Sequence, residues 1–199
     1  RDDEWGGDRD ARARFPLAVL RAVKAAVPAE GFVVGYRFSP EEIEVPGIRY
    51  DDTIYLLEQL AAEGLDYLHY STKRLMQTSI VDTADTQTLL EKLVAVRSET
   101  LAAVPLVGVG GVMQLDQVTE ALEAGFSGVA VGRELIVEPN WVQKVSAGEP
   151  IATFVRREQC AGLAVPDSLW NFVEADMAAE ERRVNAARAA SRVYVPNVY

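Results

Sequence analysis

Four short runs of the chain are almost continuously apolar: residues 32–38 (FVVGYRF), 65–71 (LDYLHYS), 104–111 (VPLVGVGG) and 128–132 (GVAVG). Each is bounded by glycine, proline or charge. Such runs predict strands buried on both faces, the pattern of a parallel sheet. Between them the apolar positions recur at helical spacing. Residues 11–27 form one such segment, with Pro16 acceptable only near a helix start. Residues 50–64 form another, with Asp51 or Asp52 as its cap and Gly64 as its stop. Residues 85–100 and 113–125 continue the series, the latter ending on Gly125.

The resulting alternation of helix and strand predicts an α/β protein with right-handed crossovers. After the last strand the pattern changes. Residues 133–150 predict two short helices, residues 168–193 one longer helix, and residues 194–199 (YVPNVY) an extended tail. Residues 1–150 therefore read as the α/β part, and residues 151–199 as a helical extension and tail of the same domain.

Charge and composition narrow the function. The chain has 199 residues, and 20 Lys and Arg against 30 Asp and Glu leave a formal net charge of −10. A general nucleic-acid or anionic-membrane binder needs a basic face, so neither is expected. Any anion site must be local. Cys160 is the sole cysteine, which excludes an intrachain disulfide and a thiolate metal cluster built from this chain alone. No apolar run approaches the ~20 residues that span a bilayer. A reducing, cytoplasmic setting is expected.

Ligands of α/β folds bind at the carboxyl ends of the strands. Here those ends carry Arg37-Phe38-Ser39, Ser71-Thr72-Lys73-Arg74, Gly110-Gly111 and Gly132-Arg133. Gly108 and Gly110 suggest a dinucleotide fingerprint, but the third glycine would fall on Met113, so the motif fails. A phosphate cradle fits better: Gly110 and Gly111 let backbone amides approach an anion, and Arg133 adds charge-assisted bonds. The short helix expected directly after Gly132-Arg133 matches the phosphate site of (β/α)8 barrels. Arg37, within an apolar strand, needs a ligand or a buried carboxylate. Lys73 and Arg74 either contact substrate or the nicotinamide cofactor, or are solvated loop charges. The single histidine, His69, reads as a hydrogen-bonded core residue, and Cys160 as a bystander.

These strand ends, together with the opening, resemble the Old Yellow Enzyme family of FMN-dependent NAD(P)H oxidoreductases. The family's Tyr-Gly-Gly-Ser-x-Glu-Asn-Arg-x-Arg-Phe segment corresponds to Trp5-Gly6-Gly7-Asp8-Arg9-Asp10-Ala11-Arg12-Ala13-Arg14-Phe15, and its Val-Gly-x-Arg-Leu-Ser-Pro strand to Val34-Gly35-Tyr36-Arg37-Phe38-Ser39-Pro40. Trp5, Asp8 and Ala11 depart from the family's Tyr, Ser and Asn. The resemblance implies the C-terminal half, strands five to eight, of a TIM (β/α)8 barrel.

It also implies that Arg37 contacts the N1/O2 edge of the flavin, and that Gly110, Gly111, Gly132 and Arg133 hold the FMN phosphate. The implied reaction passes a hydride from NAD(P)H to FMN, then to an activated alkene, quinone or similar acceptor. The family's substrate-anchoring His/Asn or His/His pair lies upstream of the opening segment, so no catalytic residue is expected in these 199 residues. Neither a metal site nor the iron–sulfur cluster of larger members is expected. A half-barrel exposes sheet edges, which predicts association with a missing N-terminal half-barrel or with itself. Two other readings stay open: a barrel isomerase or aldolase using the same phosphate cradle with Lys73, and an inactive half-barrel acting as an assembly partner.

Overall fold

In the computed structural model the described residues are 3–28 and 30–191, with side chains as far as residue 186. The predicted tail at 194–199 lies outside them. Helix α1 (Arg9–Ala26) is followed by β1 (Gly35–Phe38), α2 (Tyr50–Ala62), β2 (Tyr67–Ser71), α3 (Leu89–Val96), α4 (Glu99–Ala102) and β3 (Leu106–Val109). Then come α5 (Leu115–Glu123), β4 (Gly128–Ala130), α6 (Arg133–Val137), α7 (Trp141–Ala147), a 3-10 turn at Arg157–Gln159 and α8 (Asp167–Ser191). All four predicted strands form, each shorter than its apolar run.

The strands make one parallel sheet in the order β1-β2-β3-β4. In register, Arg37 pairs with His69, and His69 with Val107. Burial alternates along the strands, contrary to the expectation of two buried faces. Leu68, Tyr70, Leu106 and Phe38 are buried, whereas Tyr67, His69, Ser71, Val107 and Val109 are half-buried and Arg37 is exposed. Adjacent strand residues point to opposite faces, and only one face is packed. On that face Phe38 meets Tyr70 edge-on at 5.7 Å, and Tyr70 meets Phe126 at 5.6 Å. Apolar stripes of α2 (Leu57, Leu60) and α3 (Leu89, Leu90, Leu93) are buried with them.

Two helix starts differ from expectation. Pro16 lies well inside α1, where it removes one i→i−4 hydrogen bond without ending the helix. The start of α1 is secured instead: Asp8 is the cap, accepting from the Ala11 amide at 2.7 Å. Aspartate thus serves where the family motif has serine, because either side chain supplies the capping oxygen. Helix α2 begins one residue before Asp51, with Arg49 at the cap position. Asp52 sits three residues later and its carboxylate accepts the Arg49 amide at 3.3 Å, the reciprocal half of a capping box. Gly64, at φ +77°, stops α2 as predicted.

The opening segment is tied down by its arginines. Arg12 donates to the Gly7 carbonyl at 2.6 Å and Arg14 to the Glu4 carbonyl at 3.0 Å. Arg9 and Arg12 both reach Asp52 Oδ1 at 3.0 Å, coupling α1 to α2. Trp5 meets Phe15 edge-on at 6.0 Å.

The chain divides into two compact units. The first comprises residues 1–111 and 118–130 and contains the sheet; the second comprises residues 112–117 and 131–199. The second has its own core of Val137, Val155, Cys160, Trp170, Val173 and Met177. Cys160 is a packing residue of that core, as its bystander reading requires. Within the same unit, buried Trp141 donates its indole N–H to the Met113 carbonyl at 2.7 Å.

Candidate functional site

In the first unit the carboxyl ends of β1, β2 and β3 bring most of the expected residues together. Arg37, near the end of β1, is exposed, and its Nη2 donates to Ser71 Oγ on β2 at 2.8 Å. Within the chain, the partner of this guanidinium is a hydroxyl. The unpacked sheet face leaves this guanidinium in solvent rather than buried among apolar groups.

His69 stands beside Arg37 in register, and its Nε2 is buried without a hydrogen-bond partner. The hydrogen bond expected of a core histidine is thus not made at Nε2. Burial, and secondarily the Arg37 charge, holds its pKa below the ordinary imidazole value. A neutral histidine thus lies on the same sheet face as Arg37 and Ser71. Sequence reasoning placed Ser71 at a strand end but missed that it and His69 share a sheet face with Arg37. The available signal was their alternation with buried Leu68 and Tyr70 on one strand.

Gly110 and Gly111 follow β3 with φ of +155° and +70°. A Cβ on Gly110 would come within 2.7–2.8 Å of the Arg74 backbone, so only glycine fits. The segment after β2 is laid against this turn. Thr72 Oγ1 donates to the Arg74 carbonyl at 2.7 Å, and the Leu75 amide to the Gly110 carbonyl at 3.2 Å. Lys73 and Arg74 themselves are exposed. Further along, buried Glu41 accepts from Ser79 Oγ at 3.1 and 2.9 Å and from the Ile80 amide at 3.1 Å. A cleft of about 280 Å³ lies beside edge strand β1, lined by Arg9, Arg12, Arg37, Asp52 and Tyr55 among others.

Gly132 and Arg133 belong to the second unit. Gly132 is exposed and precedes α6, and Arg133 is half-buried. Arg133 Nη1 pairs with Asp176 Oδ2 on α8 at 2.6 Å. Glu134, next in sequence, is buried at 2% exposure, and neither of its carboxyl oxygens has a partner. Burial, with the nearby Glu180 charge, pushes its pKa up to about 8. Glu180 stays ionised through Arg183, whose guanidinium meets it at 2.9 and 2.6 Å.

No group of three or more His, Cys, Asp or Glu able to hold a metal occurs among the described residues. No helix among them is long and apolar enough to cross a membrane.

A family model described as the NADH:flavin oxidoreductase / NADH oxidase family matches residues 1–151. Among curated proteins, an NADH:fumarate oxidoreductase of Klebsiella pneumoniae (strain 342) is 47% identical over 100% of this chain and 22% of its own length. An NADH:acrylate oxidoreductase of Vibrio harveyi is 44% identical over 90% of this chain and 18% of its own. The chain therefore spans about a fifth of the length of these relatives. Among solved structures, morphinone reductase aligns with a TM-score of 0.57 at 24% identity, over 76% of this chain and 38% of that one, a likeness of fold. The chain belongs to the NADH:flavin oxidoreductase / NADH oxidase family, and its parallel sheet with covering helices is half of a barrel of the Old Yellow Enzyme type.

Proposed function

We propose that this chain supplies the flavin-phosphate part of the site in an FMN-dependent NAD(P)H oxidoreductase whose acceptor is an activated alkene. The observation that carries the reading is the strand-end donor set within a chain of this family. Gly110 and Gly111 both have positive φ, and a Cβ on Gly110 would meet the Arg74 backbone, a turn suited to close approach by an anion. In the second unit, Gly132 and Arg133 are by themselves an exposed glycine and a guanidinium, chemistry that a phosphate monoester takes. The residues thus fit FMN. When bound, the flavin accepts a hydride from NAD(P)H and delivers it to the acceptor.

Arg37 would face the N1/O2 edge of the ring. Its hydrogen bond to Ser71 orients the guanidinium there, and a fixed cation favours added negative charge on the ring. His69 remains neutral beside it and so adds no competing charge at pH 7. Lys73 and Arg74, held at the mouth by the Gly110 contacts, would meet substrate or NAD(P)H. The two relatives named for fumarate and acrylate direct the acceptor toward α,β-unsaturated carboxylates.

Residues 1–150 would form the half-barrel and residues 151–199 its helical extension. The rest of the barrel, with its substrate-anchoring pair, would come from sequence beyond these residues or from a companion chain. The free, packed thiol of Cys160 suits a reducing, cytoplasmic setting.

The test uses the intact protein. It should carry a flavin absorption band and oxidise NADH with fumarate or acrylate, and Arg37→Ala should slow flavin reduction. A colourless protein unable to take up FMN overturns the reading.

A further inference from the structure

We propose that Asp176, on the C-terminal helix α8, is a positioning residue for Arg133: its carboxylate fixes the guanidinium by one prong and leaves the other N–H groups for the FMN phosphate. The proposal rests on the reading of Arg133 given above. An arginine has five N–H donors in a rigid fork, but its stem carries about 2 kcal/mol of rotamer entropy. Whatever orders the stem before the anion arrives removes that penalty from binding. At Arg133 the backbone offers little guidance, because α6 is only five residues long and is preceded by glycine. The ordering contact is the 2.6 Å bond from Nη1 to Asp176.

Asp176 is itself held in place. Trp170, Val173 and Met177 put one stripe of α8 into the core of the second unit, immediately beside Asp176. Arg156 grips Glu181 through Nε and Nη2 at 2.9 and 2.8 Å, one turn further along. Glu180 lies four residues after Asp176, on the same side of the helix, and the Arg133 charge acts on it as well. Its charge is met by Arg183. Glu134, adjacent to Arg133, is held neutral by burial and does not compete for the guanidinium. Asp176 is thus the carboxylate bonded to this arginine. The family match ends at residue 151, whereas α8 begins at Asp167, so this support comes from beyond the matched region.

The test compares FMN with riboflavin, which has the same ring and no phosphate. Dissociation constants are read from flavin fluorescence on the intact protein stripped of flavin. Asp176→Ala should weaken FMN by about three- to five-fold, the range open to an exposed ion pair, and leave riboflavin unchanged. Asp176→Glu should restore part of the loss. In an Arg133→Ala background Asp176→Ala should have no further effect. Unchanged or tighter FMN binding by Asp176→Ala, or an equal loss for riboflavin, overturns the proposal. If Arg133→Ala also leaves the FMN-to-riboflavin ratio unchanged, the phosphate role of Arg133 fails and the proposal falls with it.

Discussion

Arg37 and His69 are register partners on adjacent parallel strands, so guanidinium and imidazole rise side by side from one sheet face. The imidazole is kept neutral first by burial and second by that cation. Between the folded pKa and the ordinary value of 6.5, the unfolded chain binds more protons than the folded one. Stability therefore rises with pH through that window and is lost as pH falls through it. Arg37→Ala removes only the smaller cause. The His69 resonance, followed by NMR, should titrate at a higher pH in this variant, still below 6.5. An unmoved titration would show that the two side chains are not coupled.

Glu134 gives the opposite sign. Its pKa is raised from 4.5 to about 8, so the folded state holds the extra proton. Stability from this group is fully present below pH 4.5 and is lost as pH climbs toward 8. Glu134→Gln keeps the shape and cannot ionise. Thermal melts of the intact protein between pH 6 and 9 should show the variant gaining on the parent as pH rises. Parallel curves would mean that Glu134 is not protonated in the fold.

The glycine turn after β3 tolerates no side chain. Gly110→Ala drives a Cβ into the Arg74 backbone at 2.7–2.8 Å, and backbone has no alternative rotamer. We expect a loss of about 2–3 kcal/mol in urea denaturation, together with weakened FMN binding. A variant with the parent's stability would mean the turn is looser than it stands here.

Much of this organisation was legible in sequence. The four apolar runs located every strand among the described residues, and glycines follow α2 and α5 where helices must stop. Residues whose partners lie far along the chain were not legible. Asp52 reads as a cap, yet it also joins Arg9 and Arg12 across some forty residues. His69 reads as core because its strand is apolar, and only the unpacked sheet face reveals it as a neighbour of Arg37. Arg133 stands out in sequence as a candidate for the phosphate, while its ion pair with Asp176 on α8 joins segments of no shared periodicity. Sequence patterns report local period and composition; ion pairs at long separation depend on the fold that brings them together.

Glu41 and Ser79 join the loop after β1 to the loop after β2, which carries Lys73 and Arg74. The buried carboxylate accepts two contacts from Ser79 Oγ and one from the Ile80 amide. Ser79 Oγ in turn accepts the amides of Val81 and Asp82 at 3.2 and 2.9 Å. Glu41→Ala strands these donors in a buried setting and should cost about 2–3 kcal/mol. Glu41→Gln should recover only part. Its new N–H groups would point at a hydroxyl whose two lone pairs already serve two amides. Because the clasp fixes the loop as well as the core, the alanine variant should be cut faster by protease within residues 79–86. It should also show a higher KM for NAD(P)H with little change in kcat. Unaltered cleavage together with an unaltered KM would mean that the clasp does not hold the Lys73–Arg74 loop in place.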